Sequence, residues 1–156
     1  MIGSVRAPYR QKRKDLEDCN RLYNDRMLGG GELSKLELEM VAVVVSSENK
    51  CFYCLVAHGA AVRVLSGDPQ LGEHMVMNYR SAKLDKRQRA MLDFASHLTR
   101  SPATVTEDDI QALRDAGLSD RGIWDLSNLI GFYNMSNRVA IASDMQPNPE
   151  YHSQSR

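Results

Sequence analysis

The amino-acid sequence predicts an all-α fold, and three observations lead to this prediction. Apolar residues recur every three or four positions along most of the chain, which is the spacing of one helix face. Start and stop signals bound these segments, such as Ser34 with Glu37 three residues later, the pattern of a capping box, and SGDP at 66–69. No segment shows the strict alternation of a half-buried strand, so helices are expected throughout.

The first predicted helix follows a basic stretch. Lysines and arginines crowd residues 1–15, with few large apolar side chains, and predict a flexible basic N-terminal arm. A helix is then expected from Asp15 to Leu28, and the glycines at 29–31 end it. Its apolar face comprises Leu16, Cys19, Leu22, Tyr23 and Met27.

The segment LSKLELEMVAVVVSS, residues 33–47, gives conflicting signals. Its valines favour a strand by propensity alone. Its length and its N-terminal cap favour a buried helix, and no second strand-like run exists in the sequence to pair with it. We therefore predict a helix here and a second one from Cys51 to Leu65, ended by glycine and proline.

The rest of the chain predicts further helices and a tail. A short helix is expected within 70–82, another after an Asp85 cap, and a third from a Thr106 cap to Gly117. The last helix lies within 119–145, where Asn137 and Arg138 are predicted to tie helices or subunits together, and Trp124, Phe132 and Tyr133 to be core or subunit interface. We expect one domain over 16–146 and a polar C-terminal tail over 147–156.

Composition narrows the functional classes. Lysine plus arginine total 20 and aspartate plus glutamate total 20, so no net field favours nucleic acid or an anionic membrane as a partner. No apolar run approaches the ~20 residues that span a bilayer, and the first residues lack a secretory signal. Three cysteines do not form the dense framework of a small secreted domain. A cytoplasmic protein is expected.

The stretch SSENKCFYCLVAHGAAV, residues 46–62, carries the candidate chemistry. In a helix, Cys51, Cys54 and His58 fall one turn apart and form one ridge. Cys51 lies at the helix N-terminus, where free backbone N–H groups lower the pKa of a thiol. His58 is placed to accept a proton from Cys54, giving a reactive thiolate. This pattern is typical of a dithiol that attacks an oxidant with one sulfur and forms a disulfide with the other.

Two alternatives remain open from spacing alone. Zinc would find three ligands in Cys51, Cys54 and His58, but a closed structural site takes four, and the sequence has no second CxxC or HxxxH. Alternatively, the cysteines are small apolar residues of a packed helix beside a hydrogen-bonded histidine. Two cysteines and one histidine on a single ridge favour the redox dithiol, for which we expect no metal and no cofactor.

Glu39 is the candidate acid of this site. It lies twelve residues before Cys51, on the valine-rich helix, and faces either solvent or the following helix. An inward carboxylate could exchange protons with His58. Glu37 and Glu48 compete for the same role, so the spacing leaves the choice open.

These residues resemble a known family. Glu39, eleven residues, the motif Cys51-Phe52-Tyr53-Cys54, three residues and His58 form a spacing similar to the signature of the alkylhydroperoxidase D and carboxymuconolactone decarboxylase-like superfamily. The strings LSKLELEMVAVVVSSENKCFYCLVAHGAAV, RQRAMLDFASHLT and GFYNMSNRVA resemble its peroxidase-related branch. The resemblance extends over about residues 20 to 142.

The resemblance implies a fold, a reaction and partners. It implies an alkylhydroperoxidase D-like helical bundle that forms homo-oligomers, as trimers or hexamers, and reduces a hydroperoxide at the expense of a thiol or lipoyl-type reductant. It assigns peroxide attack to Cys54, resolution to Cys51, and a proton relay to Glu39 and His58. Tyr53 stands where alkylhydroperoxidase D has a histidine, so its hydroxyl is a candidate replacement in the relay. A helical oligomer that senses oxidation with the same dithiol is the alternative function.

Overall fold

α-Helices joined by short loops make up the part of the chain that the computed structural model describes, residues 13–28 and 30–156. The predicted all-α class is confirmed, because no strand element occurs within these ranges. The helices are α1 (Arg13–Leu28), α2 (Lys35–Glu48), α3 (Phe52–Ser66), α4 (Pro69–Asn78), α5 (Lys86–Arg100), α6 (Glu107–Asp115), α7 (Asp120–Ala142) and α8 (Pro149–Ser153), with 3₁₀ turns at Tyr79–Ser81 and Pro102–Thr104.

Helix α2 is the centre of the bundle, and α1, α3, α4, α5 and α7 all pack on it. Every residue from Met40 to Val45 is at most 1% exposed, so this helix is apolar all round, as a central helix must be. Burial on every side explains why β-branched residues occur here in a helix. The capping box is present: Glu37 N–H donates to Ser34 Oγ (3.2 Å), and Ser34 N–H donates to Glu37 Oε2 (2.7 Å).

The predicted helix boundaries after α2 agree closely with the structure. Gly67 adopts the left-handed conformation (φ 66°) that ends α3, and Pro69 begins α4. Asp85 caps α5 together with Gln88, and the Asp109 carboxylate accepts from both the backbone N–H and the hydroxyl of Thr106 at the start of α6. These caps fix the ends of the helices that surround α2.

Helix α7 presents different faces to the core and to solvent. Phe132 and Tyr133 are buried, in agreement with the core alternative predicted for them. Trp124 is 65% exposed in the single chain.

No described helix is both long and apolar enough to cross a membrane.

The two ends of the chain differ from the predicted boundaries. Residues 13–15 of the predicted arm belong to α1, and residues 1–12 lie outside the described ranges. The polar segment 147–156 is not a simple tail: it contains α8, which packs on α3 and buries Tyr151. Arg63 explains the docking, because its guanidinium donates to the backbone oxygens of Tyr151 (2.8 Å) and Gln154 (2.8 Å).

Candidate active site

The turn between α2 and α3 places the first cysteine. α2 ends at Glu48, Lys50 takes a left-handed conformation (φ 58°), and Cys51 becomes the N-cap of α3. Cys51 N–H donates to the carbonyl of Ser46 (3.0 Å), while the Cys51 carbonyl accepts from Leu55 N–H (2.9 Å). The start of α3 is therefore held directly against the end of α2.

Both sulfurs are buried and reduced. Cys51 is 1% exposed and Cys54 is 4% exposed, and neither is in a disulfide. They share a small cluster with Ala140 of α7, against which Tyr53 and Met145 pack. Tyr53 thus lies beside the sulfur pair, as its position between the two cysteines in the sequence predicts. Its role in a proton relay stays a prediction.

The two thiols hold their protons unequally. A hydrogen bond from the Cys54 thiol lowers the pKa of Cys51 to about 7 against the opposing effect of burial, with help from the backbone N–H groups of Cys54 and Tyr53 and from His58. The same hydrogen bond to Cys51 raises the pKa of Cys54, and burial adds to the increase. The hydrogen bond between the sulfurs therefore favours ionisation of Cys51 over ionisation of Cys54.

This distribution agrees with only part of the sequence prediction. The low pKa expected for Cys51 at a helix N-terminus is present. Cys54 was expected to give its proton to His58; its thiol is hydrogen-bonded to Cys51, and the transfer to His58 stays a prediction. Sequence spacing could not reveal this, because Cys51 and His58 both lie one helical turn from Cys54.

His58 and Glu39 form a buried pair, and His58 lies one helical turn after Cys54 in α3. His58 Nδ1 donates to Glu39 Oε2 at 2.6 Å, and the two residues are 7% and 9% exposed. The Tyr133 ring packs edge-on against the imidazole, at a centroid distance of 4.9 Å and an angle of 82°. Hydrogen bonding at Nδ1 fixes the ring orientation and leaves Nε2 as the nitrogen for proton exchange.

The two competing carboxylates are occupied elsewhere. Glu37 completes the capping box and accepts from Arg87 Nε (3.0 Å). Glu48 accepts from the Ser96 hydroxyl (2.6 Å). Glu39 is therefore the candidate acid that the fold brings to His58.

Sequence reasoning missed part of the surroundings of Cys54. Asn137 of α7 and Ser46 of α2 both lower the pKa of the Cys54 thiol, against the larger increase that Cys51 and burial cause. Asn137 was predicted to tie helices together, and it does so by donating to Ser46 Oγ (3.0 Å). The sequence signal that could have found these residues is a polar side chain on an otherwise apolar helix face. Ser46 is this side chain on α2, and Asn137 is this side chain on α7.

A cavity of about 280 Å³ opens beside Glu39. Glu39 lines it together with apolar side chains of α1 and α3, and Lys35 also contributes to the lining. Tyr151 and Gln154 form another part of the wall, so the docked C-terminal segment shapes this cavity. In the described part of the chain, no three His, Cys, Asp or Glu side chains are grouped so as to hold a metal ion.

Comparison with known proteins decides the family. A solved structure of an uncharacterized peroxidase-related protein from Silicibacter sp. TM1040 matches with a TM-score of 0.91 and 63% sequence identity, covering 93% of this chain and 76% of that chain. The chain belongs to the peroxidase-related branch of the alkylhydroperoxidase D-like superfamily.

Other comparisons agree with this family. A protein from Ralstonia eutropha JMP134, described as an alkylhydroperoxidase AhpD core and an uncharacterized peroxidase-related protein, has a TM-score of 0.90 and 36% identity over 94% of this chain and 77% of that chain. The debrominase Bmp8, solved with 2,3,4-tribromopyrrole, shares the fold at 15% identity and a TM-score of 0.80, covering 92% of this chain and 76% of that chain. No protein-family model and no curated protein matches the chain.

Proposed function

We propose that this protein is an oxidoreductase that reduces hydroperoxides with the Cys51 and Cys54 dithiol. One observation carries the proposal: two buried cysteines three residues apart at the start of α3 lie within two helical turns of an imidazole that is hydrogen-bonded to a buried carboxylate. A thiolate is the nucleophile that peroxides need, and a second thiol within reach closes the cycle. The peroxidase-related relatives support the same reaction class.

In the first step the proton shared by the sulfurs passes to Cys51, and the Cys54 thiolate attacks the terminal oxygen of the hydroperoxide. The new sulfur–oxygen bond gives a sulfenic acid as the O–O bond breaks, and the alkoxide leaves as an alcohol after taking a proton. In the second step Cys51 loses its proton and attacks the Cys54 sulfur, hydroxide leaves as water, and a disulfide remains.

The pair His58 and Glu39 serves as the proton relay in this scheme. If the dithiol starts with one negative charge, the two departing oxygens need two protons in each turnover. Cys51 releases one of these protons, and the other must be taken up. His58 can deliver both to the departing oxygens through Nε2, and Glu39 stabilises the protonated imidazole. A thiol or lipoyl-type dithiol would then reduce the disulfide with two electrons, and a trimeric or hexameric assembly in the cytoplasm is part of the same proposal.

The experiment is steady-state consumption of cumene hydroperoxide with dihydrolipoamide as reductant. The wild-type chain should turn over many times, and mass spectrometry of protein given one equivalent of peroxide should find a Cys51–Cys54 disulfide. Two free thiols after this treatment would contradict the proposal.

The order of attack has its own test. With dimedone present, peroxide should trap a sulfenic acid on Cys54 in the Cys51→Ser protein and none on Cys51 in the Cys54→Ser protein. The opposite result would assign the attack to Cys51, the sulfur whose ionisation is favoured.

A redox sensor is the second candidate, and the burial of both sulfurs favours it. Side chains that are 1% and 4% exposed limit the access of a bulky reductant. A sensor would be oxidised once by peroxide and would not turn over with either dithiothreitol or dihydrolipoamide. Absence of turnover together with a quantitative Cys51–Cys54 disulfide would therefore select this function.

A further inference from the structure

The carboxylate of Glu39 has one oxygen that its partner does not use. Oε2 accepts from His58 Nδ1 (2.6 Å), and the hydrogen bonds of the described residues leave Oε1 without a donor. Oε1 is not sealed in the core, because every buried side-chain oxygen of the described residues has a partner. Of Cys51, Cys54, His58 and Glu39, only Glu39 lines the cavity. Oε1 is therefore an acceptor open to a molecule in that cavity.

Most of the remaining wall is apolar. Tyr23 of α1 contributes an aromatic ring whose centroid lies 6.5 Å from that of His58. The apolar side chains of the wall come from α1 and α3, and they are Met27, Leu28, Ala57, Ala61, Val64 and Leu65. An apolar wall with a few polar groups is the usual composition of a small-molecule site.

The volume of the cavity limits the size of its ligand. At about 280 Å³ it lies at the lower end of the range of about 300–1,000 Å³ that is typical of ligand sites. An apolar cavity of about 150 Å³ already binds benzene. The cavity beside Glu39 therefore fits one ring with a short substituent.

The charges of the lining select a neutral ligand. Glu39 repels an anion, Lys35 repels a cation, and the apolar walls make any unpaired ion costly to bury. Burial raises the pKa of Tyr23 to about 12, and the charge of Glu39 adds to this, so the phenol stays neutral near pH 7. A neutral donor, such as a hydroxyl group, is the partner that suits Glu39 Oε1.

The C-terminal segment closes one side of the cavity and is held firmly there. Tyr151 packs in a cluster with Ala57, and Arg63 donates to the backbone oxygens of Tyr151 (2.8 Å) and Gln154 (2.8 Å). Gly72 of α4 makes room for the arginine, because a Cβ at this position would lie 2.7 Å from Arg63 Cγ. Three separate elements, α3, α4 and the C-terminal segment, thus cooperate to form this wall.

We propose that the cavity binds a neutral molecule of about one ring whose O–H group donates a hydrogen bond to Glu39. The inference deepens the proposed function and rests on it only for the natural source of the ligand. A ring-bearing hydroperoxide and the alcohol formed from it both combine an apolar body with an O–H donor. The binding itself is noncovalent and requires neither peroxide nor turnover.

The experiment measures the binding of 2-phenyl-2-propanol, the alcohol that cumene hydroperoxide gives on reduction. The reduced full-length chain is titrated without peroxide, and binding is followed by ligand-observed NMR. A dissociation constant on the order of 1 mM or lower is expected, as a ligand of about ten non-hydrogen atoms reaches this affinity in a fitting site.

A matched ligand tests the hydrogen bond. tert-Butylbenzene has the same shape, with a methyl group in place of the hydroxyl, and is compared with the alcohol at the same low concentration. A cavity that selects apolar bulk alone would favour tert-butylbenzene. We expect the reverse by about tenfold, because the methyl group would take water from Glu39 Oε1 without replacing its hydrogen bond.

A matched pair of variants tests the location. Ala61→Phe fills the cavity and should weaken binding of the alcohol by at least about tenfold. Ala112→Phe, the same change at an exposed alanine of α6 outside the cavity, should leave the affinity unchanged. If Ala61→Phe does not fold, the comparison of the two ligands on the wild-type chain still decides the question.

Two outcomes would overturn the inference. One is tert-butylbenzene binding as tightly as the alcohol or more tightly, which would remove the hydrogen bond to Glu39. The other is an affinity for the alcohol that is the same in folded Ala61→Phe as in the wild-type chain, which would place the alcohol elsewhere.

Kinetics distinguish the sources of the ligand and separate this inference from the proposed function. Inhibition by the alcohol that is competitive with cumene hydroperoxide would support the site and identify its ligand as the enzyme's own substrate or product. Inhibition of another pattern would support a site for a separate alcohol. A wild-type chain that binds the alcohol as expected but consumes no peroxide would retain the site and lose the peroxidase proposal.

Discussion

Glu37 and Glu39 lie two residues apart on α2 and are equally buried, each 9% exposed, yet the fold uses them differently. Glu37 binds a backbone N–H and the guanidinium of Arg87, a cation at every physiological pH. Glu39 binds an imidazole, a group that can both accept and donate a proton. The comparison teaches that the partner, and not the burial, separates a structural carboxylate from one suited to proton transfer.

The sharpest test of this comparison is the same isosteric change at both positions. Glu39→Gln should lower peroxide turnover by about a hundredfold, since general acid–base groups typically contribute 10²–10⁴-fold. Glu37→Gln should leave turnover within a factor of about three, because an amide oxygen can still complete the capping box. Steady-state kinetics with cumene hydroperoxide measure both, and equal losses would end the distinction.

The dependence of the alkylation rate of the dithiol on pH provides the second test. Because the pKa of Cys51 is lowered to about 7 by its hydrogen bond from Cys54, the negative charge on the pair is lost as the pH falls through 7. Alkylation of the wild-type dithiol should therefore slow by about tenfold per pH unit below this value.

The ion pair of Glu37 should not follow this profile. Burial lowers the pKa of Arg87, but the hydrogen bonds that Arg87 donates to Glu32 and Glu37 outweigh this effect and raise it, so this cation persists throughout the range. An alkylation profile with its midpoint above pH 8 would contradict the charge assigned to the dithiol.

The third test concerns stability. Glu37→Ala removes an acceptor of the capping box and a buried partner of Arg87, and should lower the free energy of unfolding by about 1–2 kcal/mol. Urea denaturation at pH 7 measures this loss. The peroxide turnover of the folded variant should remain within a factor of about three, and a loss comparable to that of Glu39→Gln would place Glu37 in the proton path.

The smallest effect is expected at the third carboxylate of α2. Ser96→Ala removes the hydroxyl that donates to Glu48 and should cost about 1 kcal/mol of stability, with no change in turnover. Thermal unfolding is the measurement, with Ser143→Ala as a matched control, since that buried serine donates to backbone carbonyls within α7. Loss of turnover in Ser96→Ala alone would bring Glu48 back as a candidate acid.

Local sequence signals were sufficient for most of the fold. These signals each act over a few neighbouring positions, so one sequence is enough to reveal them. They are the cap at Ser34, the glycine and proline after α3, and the periodic apolar residues. The same applies to the ridge of Cys51, Cys54 and His58. The inward direction of Glu39 was left open by spacing, and only the packing of α3 on α2 settles it.

Contacts between distant segments were the part that sequence reasoning could not supply. The buried hydrogen bond between Ser46 and Asn137 joins residues that are 91 positions apart, and no local pattern links them. The docking of α8 depends on Arg63, which lies 88 positions before Tyr151. The charge on Cys51 is a further example, because it depends on which neighbour the Cys54 proton faces.

Arg63 holds the C-terminal segment through main-chain oxygens alone, and this has an evolutionary consequence. Every amino acid supplies a carbonyl, so substitutions at 152 to 154 leave the two acceptors of the guanidinium intact. Relatives can therefore diverge in this stretch while retaining the same wall beside Glu39. Conservation of the arginine would be a better marker of the arrangement than conservation of the segment it binds.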